Sequence, residues 1–264
     1  MDMGPHPLLT RLAEELLILS NRYVADVVTR GDPAAAPIPY GPFIHAQSAA
    51  TPSAYQLPEP ILHPLQNPAV LVIGLNPGYG ASEVMPCLGT SLDEYVNWYA
   101  CRFDSNHRDD KGRPTAEYLE DGQTRIRHVN HYRKVEELLL SQALGPYSLG
   151  RNAVYCDAIP WKWTNSDKTL RPRMTRSDWE NAWLDASRRV ETITVALKPK
   201  VVLTLGEPGE KIFDCAPIEG GRPRLSSLGE WKGIHVASAH LAAWGKTGAY
   251  WNTVAECVAV ALEQ

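Results

Sequence analysis

Val70-Leu71-Val72-Ile73-Gly74-Leu75-Asn76-Pro77-Gly78-Tyr79-Gly80 decides how this chain reads. The unbroken apolar run predicts a strand buried on both faces, the signature of a parallel sheet. It feeds a tight loop in which Pro77 fixes φ while Gly74, Gly78 and Gly80 free it, so the backbone can fold closely around a ligand. That loop holds Asn76 at the carboxyl end of the strand, where open α/β sheets build their sites. Gly78-Tyr79-Gly80-Ala81-Ser82-Glu83 begins like a dinucleotide-binding fingerprint, but Glu83 sets a carboxylate where the third glycine would approach a pyrophosphate.

Three further apolar segments follow: Ala153 to Ile159, Val201 to Gly206 and Ile234 to Ala239. Helical patterns separate them, which predicts an α/β fold: a three-layer α/β/α sandwich around a four-stranded, mostly parallel sheet. Leu8 to Val28 carries apolar residues at helical spacing and predicts an N-terminal helix. Ser177-Asp178-Trp179-Glu180 matches a capping box and predicts a helix to about Leu197; Thr247 to Leu262 predicts the last helix. Residues 1–68 form the helix and a Pro/Ala-rich arm, and about 81–123 is a charged insertion. Within the connection to the second strand, Thr124 to Ala143 predicts a helix after an irregular part around Phe103 to Asp121. One domain over 1–264 is expected.

The 264 residues carry 26 basic and 30 acidic side chains, a net charge of -4, so any nucleic-acid contact must come from a local patch. Cys87, Cys101, Cys156, Cys215 and Cys257 contain no C-x-x-C pair, which argues against structural zinc and iron-sulfur clusters. Neither a leader-like basic and apolar start nor an apolar stretch of ~20 residues is present, so a cytoplasmic protein is expected.

Gly74-Leu75-Asn76-Pro77-Gly78 resembles the first motif of the uracil-DNA glycosylase superfamily, closest to its mismatch-specific and thymine-DNA glycosylase branches. Pro199-Lys200-Val201-Val202-Leu203-Thr204-Leu205-Gly206 is similar to the superfamily's third strand, and Ser238-Ala239-His240 falls where its second motif has a histidine. The resemblance runs from about Ala69 to Trp251. It implies a monofunctional DNA glycosylase, acting as a monomer without cofactor or metal, that flips a nucleotide and hydrolyses its N-glycosidic bond. Asn76 would orient the water, and His240 would stabilise the charge leaving with the base or the sugar-phosphate. Gly74, Leu75, Pro77, Gly78, Tyr79, Asp157 and Trp161 would line the base pocket.

Two departures from the superfamily carry information. His240 is followed by Leu241-Ala242-Ala243-Trp244-Gly245-Lys246 in place of Pro-Ser, which removes a turn constraint and a phosphate-binding hydroxyl. Trp244 and Lys246 are candidates for an intercalating wedge and a phosphate contact. Gly245-Lys246-Thr247 imitates the end of a P-loop, but His240 stands where that motif needs glycine. On the second strand Asp157 replaces an asparagine that reads the base edge. A carboxylate accepts only and matches the N4 amino group of cytosine; protonated, it could also donate to N3. Gly78 replaces a tyrosine that excludes C5 substituents, so the expected base is a C5-modified cytosine, such as the hydroxymethylated or glucosylated cytosines of phage DNA, which implies phage defence. Competing readings are a uracil or thymine-mismatch glycosylase in which Asp157 is a cap or ion-pair partner, and a catalytically inactive nucleic-acid-binding protein on the same scaffold. DNA would be gripped by Lys162, Trp163, Lys168, Arg171, Arg173 and Arg176, with Arg125, Arg127, Arg133 and Lys134 as a second patch.

Overall fold

The computed structural model describes residues 6–30, 56–61, 67–75, 84–103, 107–161, 175–215, 223–241 and 246–264. Most of the predicted Pro/Ala-rich arm lies outside them, as do Asn76, Pro77, Gly78, Tyr79, Lys162, Trp163, Lys168, Arg171, Arg173 and Trp244.

The fold is α/β. β1 (Val70–Gly74), β4 (Ala153–Asp157), β5 (Val201–Leu205) and β7 (Trp231–Ser238) form a parallel array in the order β4-β1-β5-β7. β6 (Arg224–Leu228) adds an antiparallel edge through a hairpin to β7, so the sheet has five strands where four are expected from the sequence. β6 has little apolar character, and none of its five residues is buried at this edge of the sheet. Every residue of β1, β4 and β5 is buried, as their uninterrupted apolar runs require.

Period-two alternation sends Leu71, Ile73, Val154, Cys156 and Val202 to one face. There they meet α1 (Pro7–Arg30), α2 (Leu92–Ala100) and α5 (Arg176–Leu197), through residues such as Leu9, Leu16, Tyr95, Val190 and Ile193. Val70, Val72, Tyr155, Leu203 and Val236 take the other face, against the 130–144 helical run and α7 (Gly248–Glu263) through Tyr132, Leu139, Val254 and Val258. The result is three layers.

The connection from β1 to β4 differs from the expected helix at Thr124 to Ala143. Thr124 to His128 instead belongs to β3 (Gln123–His128), which pairs antiparallel with β2 (Thr115–Glu120). Asp121 and Gly122 both have positive φ, 51° and 73°, the two-residue turn that matches strand twist. The helical run then begins as α3 (Asn130–Lys134), continues through a π-helical segment (Val135–Leu140) and ends as α4 (Ser141–Leu144). Glu136 in the π segment makes a buried bidentate pair with Arg108, at 3.1 and 2.8 Å, and accepts the Leu149 amide at 2.9 Å. This pair ties the insertion to the β4 side of the sheet.

The capping box of α5 also lies two residues earlier than expected. Thr175 Oγ1 accepts the Asp178 amide while Asp178 Oδ2 accepts the Thr175 amide, both at 3.1 Å; Ser177 is inside the first turn. α6 (Glu207–Phe213) follows β5 directly.

Candidate active site

The parallel register brings four strand ends together. Gly74 pairs with Asp157, Ile73 with Thr204, and Leu205 with Ser238, so Gly74, Asp157, Gly206 and His240 stand at one end of the sheet. Of the residues expected in the site, the described ones there are Gly74, Leu75, Asp157 and His240.

Asp157 and Tyr155 are two residues apart on one strand and therefore share a face. Asp157 is 5% exposed and accepts a 2.9 Å hydrogen bond at Oδ1 from the Tyr155 hydroxyl. A Cβ at Gly74 would collide with that hydroxyl and with Asp157 Oδ1. Thus Gly74 serves this site by vacancy, giving the polar pair room over β1. The β1 end is pinned by the Ala158 and Ile159 amides, which donate to the Gly74 and Leu75 carbonyls at 2.9 and 2.8 Å.

His131, second residue of α3, lies 2.8 Å from the Tyr155 hydroxyl through Nε2, and its ring centroid is 6.2 Å from that of His240. A row of His240, His131, Tyr155 and Asp157 crosses the carboxyl end of the sheet from β7 to β4. Burial, reinforced by the His240 charge, pushes the His131 imidazole down to about 4. Desolvation also holds His240 below the ordinary histidine range. Both rings are neutral near pH 7, so His240 offers a neutral N–H donor rather than a cation. Burial, together with the neighbouring Asp157 charge, raises the Tyr155 phenol well above its usual value, keeping it protonated. Gly206, at φ 82°, leaves space for His240, whose Cβ would lie 3.3 Å from a Cβ there.

Behind Asp157, Arg189 of α5 donates from Nη2 to the main-chain carbonyls of Asp157 and Ala158. It is buried, and desolvation lowers its guanidinium only to about 10, so it stays charged. Along the outer edge of β4 lies a cavity of about 30 Å³ lined by Glu59, Arg102, Tyr132, Tyr155 and Asp157, among others. It has room for water. Arg102 bridges to Glu59 at 2.8 Å beneath Tyr132.

The other expected residues that the structure describes sit apart from this row. Trp161 is 1% exposed within the core cluster on the α5 side. Lys246 lies over the Tyr250 ring at 4.5 Å, and the Tyr250 hydroxyl accepts the Ala239 amide, tying that lysine to the residue before His240. In the second patch Arg125 and Arg127 share Glu120, at 3.8 and 2.6 Å, and Arg133 is 3.7 Å from Glu137. The sequence reading missed His131, Tyr155, Glu59 and Arg102. Tyr155 could have been found from its two-residue spacing to Asp157; the others come from segments with no local pattern linking them to β4.

Among the described residues no group of three His, Cys, Asp or Glu side chains is placed to hold a metal ion, and no helix is long and apolar enough to cross a membrane. The chain matches no protein-family model and no curated protein.

Proposed function

We propose that this chain is a DNA glycosylase on a uracil-DNA glycosylase-like scaffold, acting on a C5-modified cytosine. The observation that carries the reading is the convergence of Gly74, Asp157 and His240 at the carboxyl end of a parallel β4-β1-β5-β7 array, with the Asn76 loop leaving β1 there. In the proposed reaction the nucleotide is extruded and water, oriented by Asn76, attacks C1′ as the N-glycosidic bond breaks and its electron pair leaves with the base. Water's proton passes to solvent, and the base takes one up. His240, neutral, donates a hydrogen bond to the departing base as negative charge grows on it. Asp157 accepts from the exocyclic amino group.

The missing Pro-Ser after His240 favours a second reading, a nucleic-acid-binding protein without catalysis. One assay separates the readings. Duplexes containing uracil, a thymine mismatch, cytosine, 5-methylcytosine, 5-hydroxymethylcytosine or its glucosylated form are incubated with the protein and scored for abasic sites. Cleavage confined to the C5-modified cytosines is expected. Cleavage of uracil alone supports the mismatch-repair reading, and duplex binding without abasic sites supports the inactive one.

A further inference from the structure

We propose that His131 and Tyr155 are positioning residues that hold Asp157 as a hydrogen-bond acceptor, so that the base read there must offer an amino group. This rests on the glycosylase reading of the same site. Tyr155 has a single O–H, and it is directed to Asp157 Oδ1 at 2.9 Å. His131 Nε2, 2.8 Å from the same phenolic oxygen, then has to be the donor of the second contact. The chain runs His131 Nε2–H to Tyr155 Oη, then Tyr155 O–H to Asp157 Oδ1, and it fixes His131 as the Nε2–H tautomer.

That polarity favours the ionised carboxylate, because hydrogen bonding to a charged form stabilises it. Burial of Asp157 works against the charge, and the hydrogen bond and the neighbouring guanidinium work for it. Arg189 is a charged guanidinium bonded to the Asp157 main-chain carbonyl, whereas buried Cys156 and Tyr155 are neutral neighbours. His131 itself faces His240, Tyr132, Glu59, Lys134 and Tyr155; its low affinity for protons keeps it a neutral donor across the working pH range. The same chain disfavours a protonated Asp157 donating to a ring nitrogen and presents an acceptor to the base. A 4-oxo pyrimidine then sets lone pair against lone pair, while a 4-amino pyrimidine supplies the donor.

The test has two arms. In the first, abasic-site formation from cytosine-type and uracil duplexes is compared for wild type, Tyr155→Phe, His131→Gln and His131→Leu. The preference for the cytosine-type base should fall about tenfold in Tyr155→Phe and His131→Leu and largely survive in His131→Gln, whose amide still donates. The acid limb of kcat/KM should move to higher pH in Tyr155→Phe as Asp157 loses a donor. An equal fall on both bases with an unmoved acid limb overturns the proposal. In the second arm, ¹⁵N-histidine NMR of the free protein should give His131 as the Nε2–H tautomer in wild type; an Nδ1–H tautomer overturns the proposed polarity without any substrate. Failure of wild type to cleave any base would sink the glycosylase reading instead, and the tautomer would still decide the hydrogen-bond chain.

Discussion

The hydroxyl of Tyr155 occupies the space that a side chain on Gly74 would need. β1 is buried on both faces and paired on both edges, so it cannot retreat, and Asp157 Oδ1 stands in the same volume. Gly74→Ala should therefore act as overpacking, costing about 1 to 3 kcal/mol. It should also push Tyr155 off Asp157. Thermal unfolding and abasic-site formation measured together check this; unchanged stability with unchanged base preference would show that the pair accommodates a methyl group without moving.

Thr175 and Ser177 offer a sharper comparison, because both begin a cap-like pattern and only Thr175 closes one. Thr175→Ala removes the acceptor of the Asp178 amide and should cost about 1 kcal/mol. Ser177→Ala, inside the first turn, should stay within about 0.5 kcal/mol of wild type. Denaturant midpoints of the two variants check the assignment; equal losses would contradict it.

The four parallel strands were legible because burial on both faces leaves unbroken apolar runs, and their ends predicted where Asp157 and His240 would stand. β6 carries no such run, since Arg224 to Leu228 pairs on one edge only and leaves Leu225 86% exposed. The hairpin was hidden differently. Ile126, Val129 and Arg133 fit helical spacing, yet Asp121-Gly122 between two β-capable segments sets the turn and thereby the strand. His131 reaches the site only because that hairpin ends at His128 and the buried Arg108–Glu136 pair holds the following helix against the sheet. No local pattern announces a contact built by two such long-range restraints.

Acid should destabilise the fold through its buried imidazoles. His235 is fully buried, stacked 4.3 Å from Phe213, and bonded to Thr204 at 2.9 Å, while its Nδ1 has no hydrogen-bond partner among the described residues. Burial, with the Arg224 charge, pushes it down to about 3. The unfolded chain takes up this proton near pH 6.5, so between about 6.5 and 3 the unfolded state binds more protons and stability falls as pH drops. His131, pushed down to about 4, adds in the same direction. The His235 share at the acid end is on the order of 4 kcal/mol. Replacing both partners, Thr204→Val with His235→Leu, should leave neutral-pH stability nearly unchanged and flatten the acid limb of the denaturation midpoint against pH. A limb of undiminished slope would assign the acid loss to other groups.

Substitution at Asp157 tests the substrate directly. Asp157→Asn keeps the shape of the side chain and exchanges an acceptor-only group for one that can donate to O4. The Tyr155 hydroxyl can still be accepted by the amide oxygen, which leaves the NH₂ for the base; the Gly74 vacancy and the Arg189 contacts to the main chain are untouched. Activity on cytosine-type bases should fall, and activity on uracil should appear or rise. Each mismatched edge leaves a buried polar group unpaired at about 1 to 3 kcal/mol. Two such changes, one lost and one gained, amount to roughly two to four powers of ten in relative rate. The measurement is the ratio of abasic sites from uracil and from C5-modified cytosine in matched duplexes, for wild type and variant. A wild type that already prefers uracil, or a ratio that does not move on substitution, would return Asp157 to a purely structural role as the partner of Tyr155.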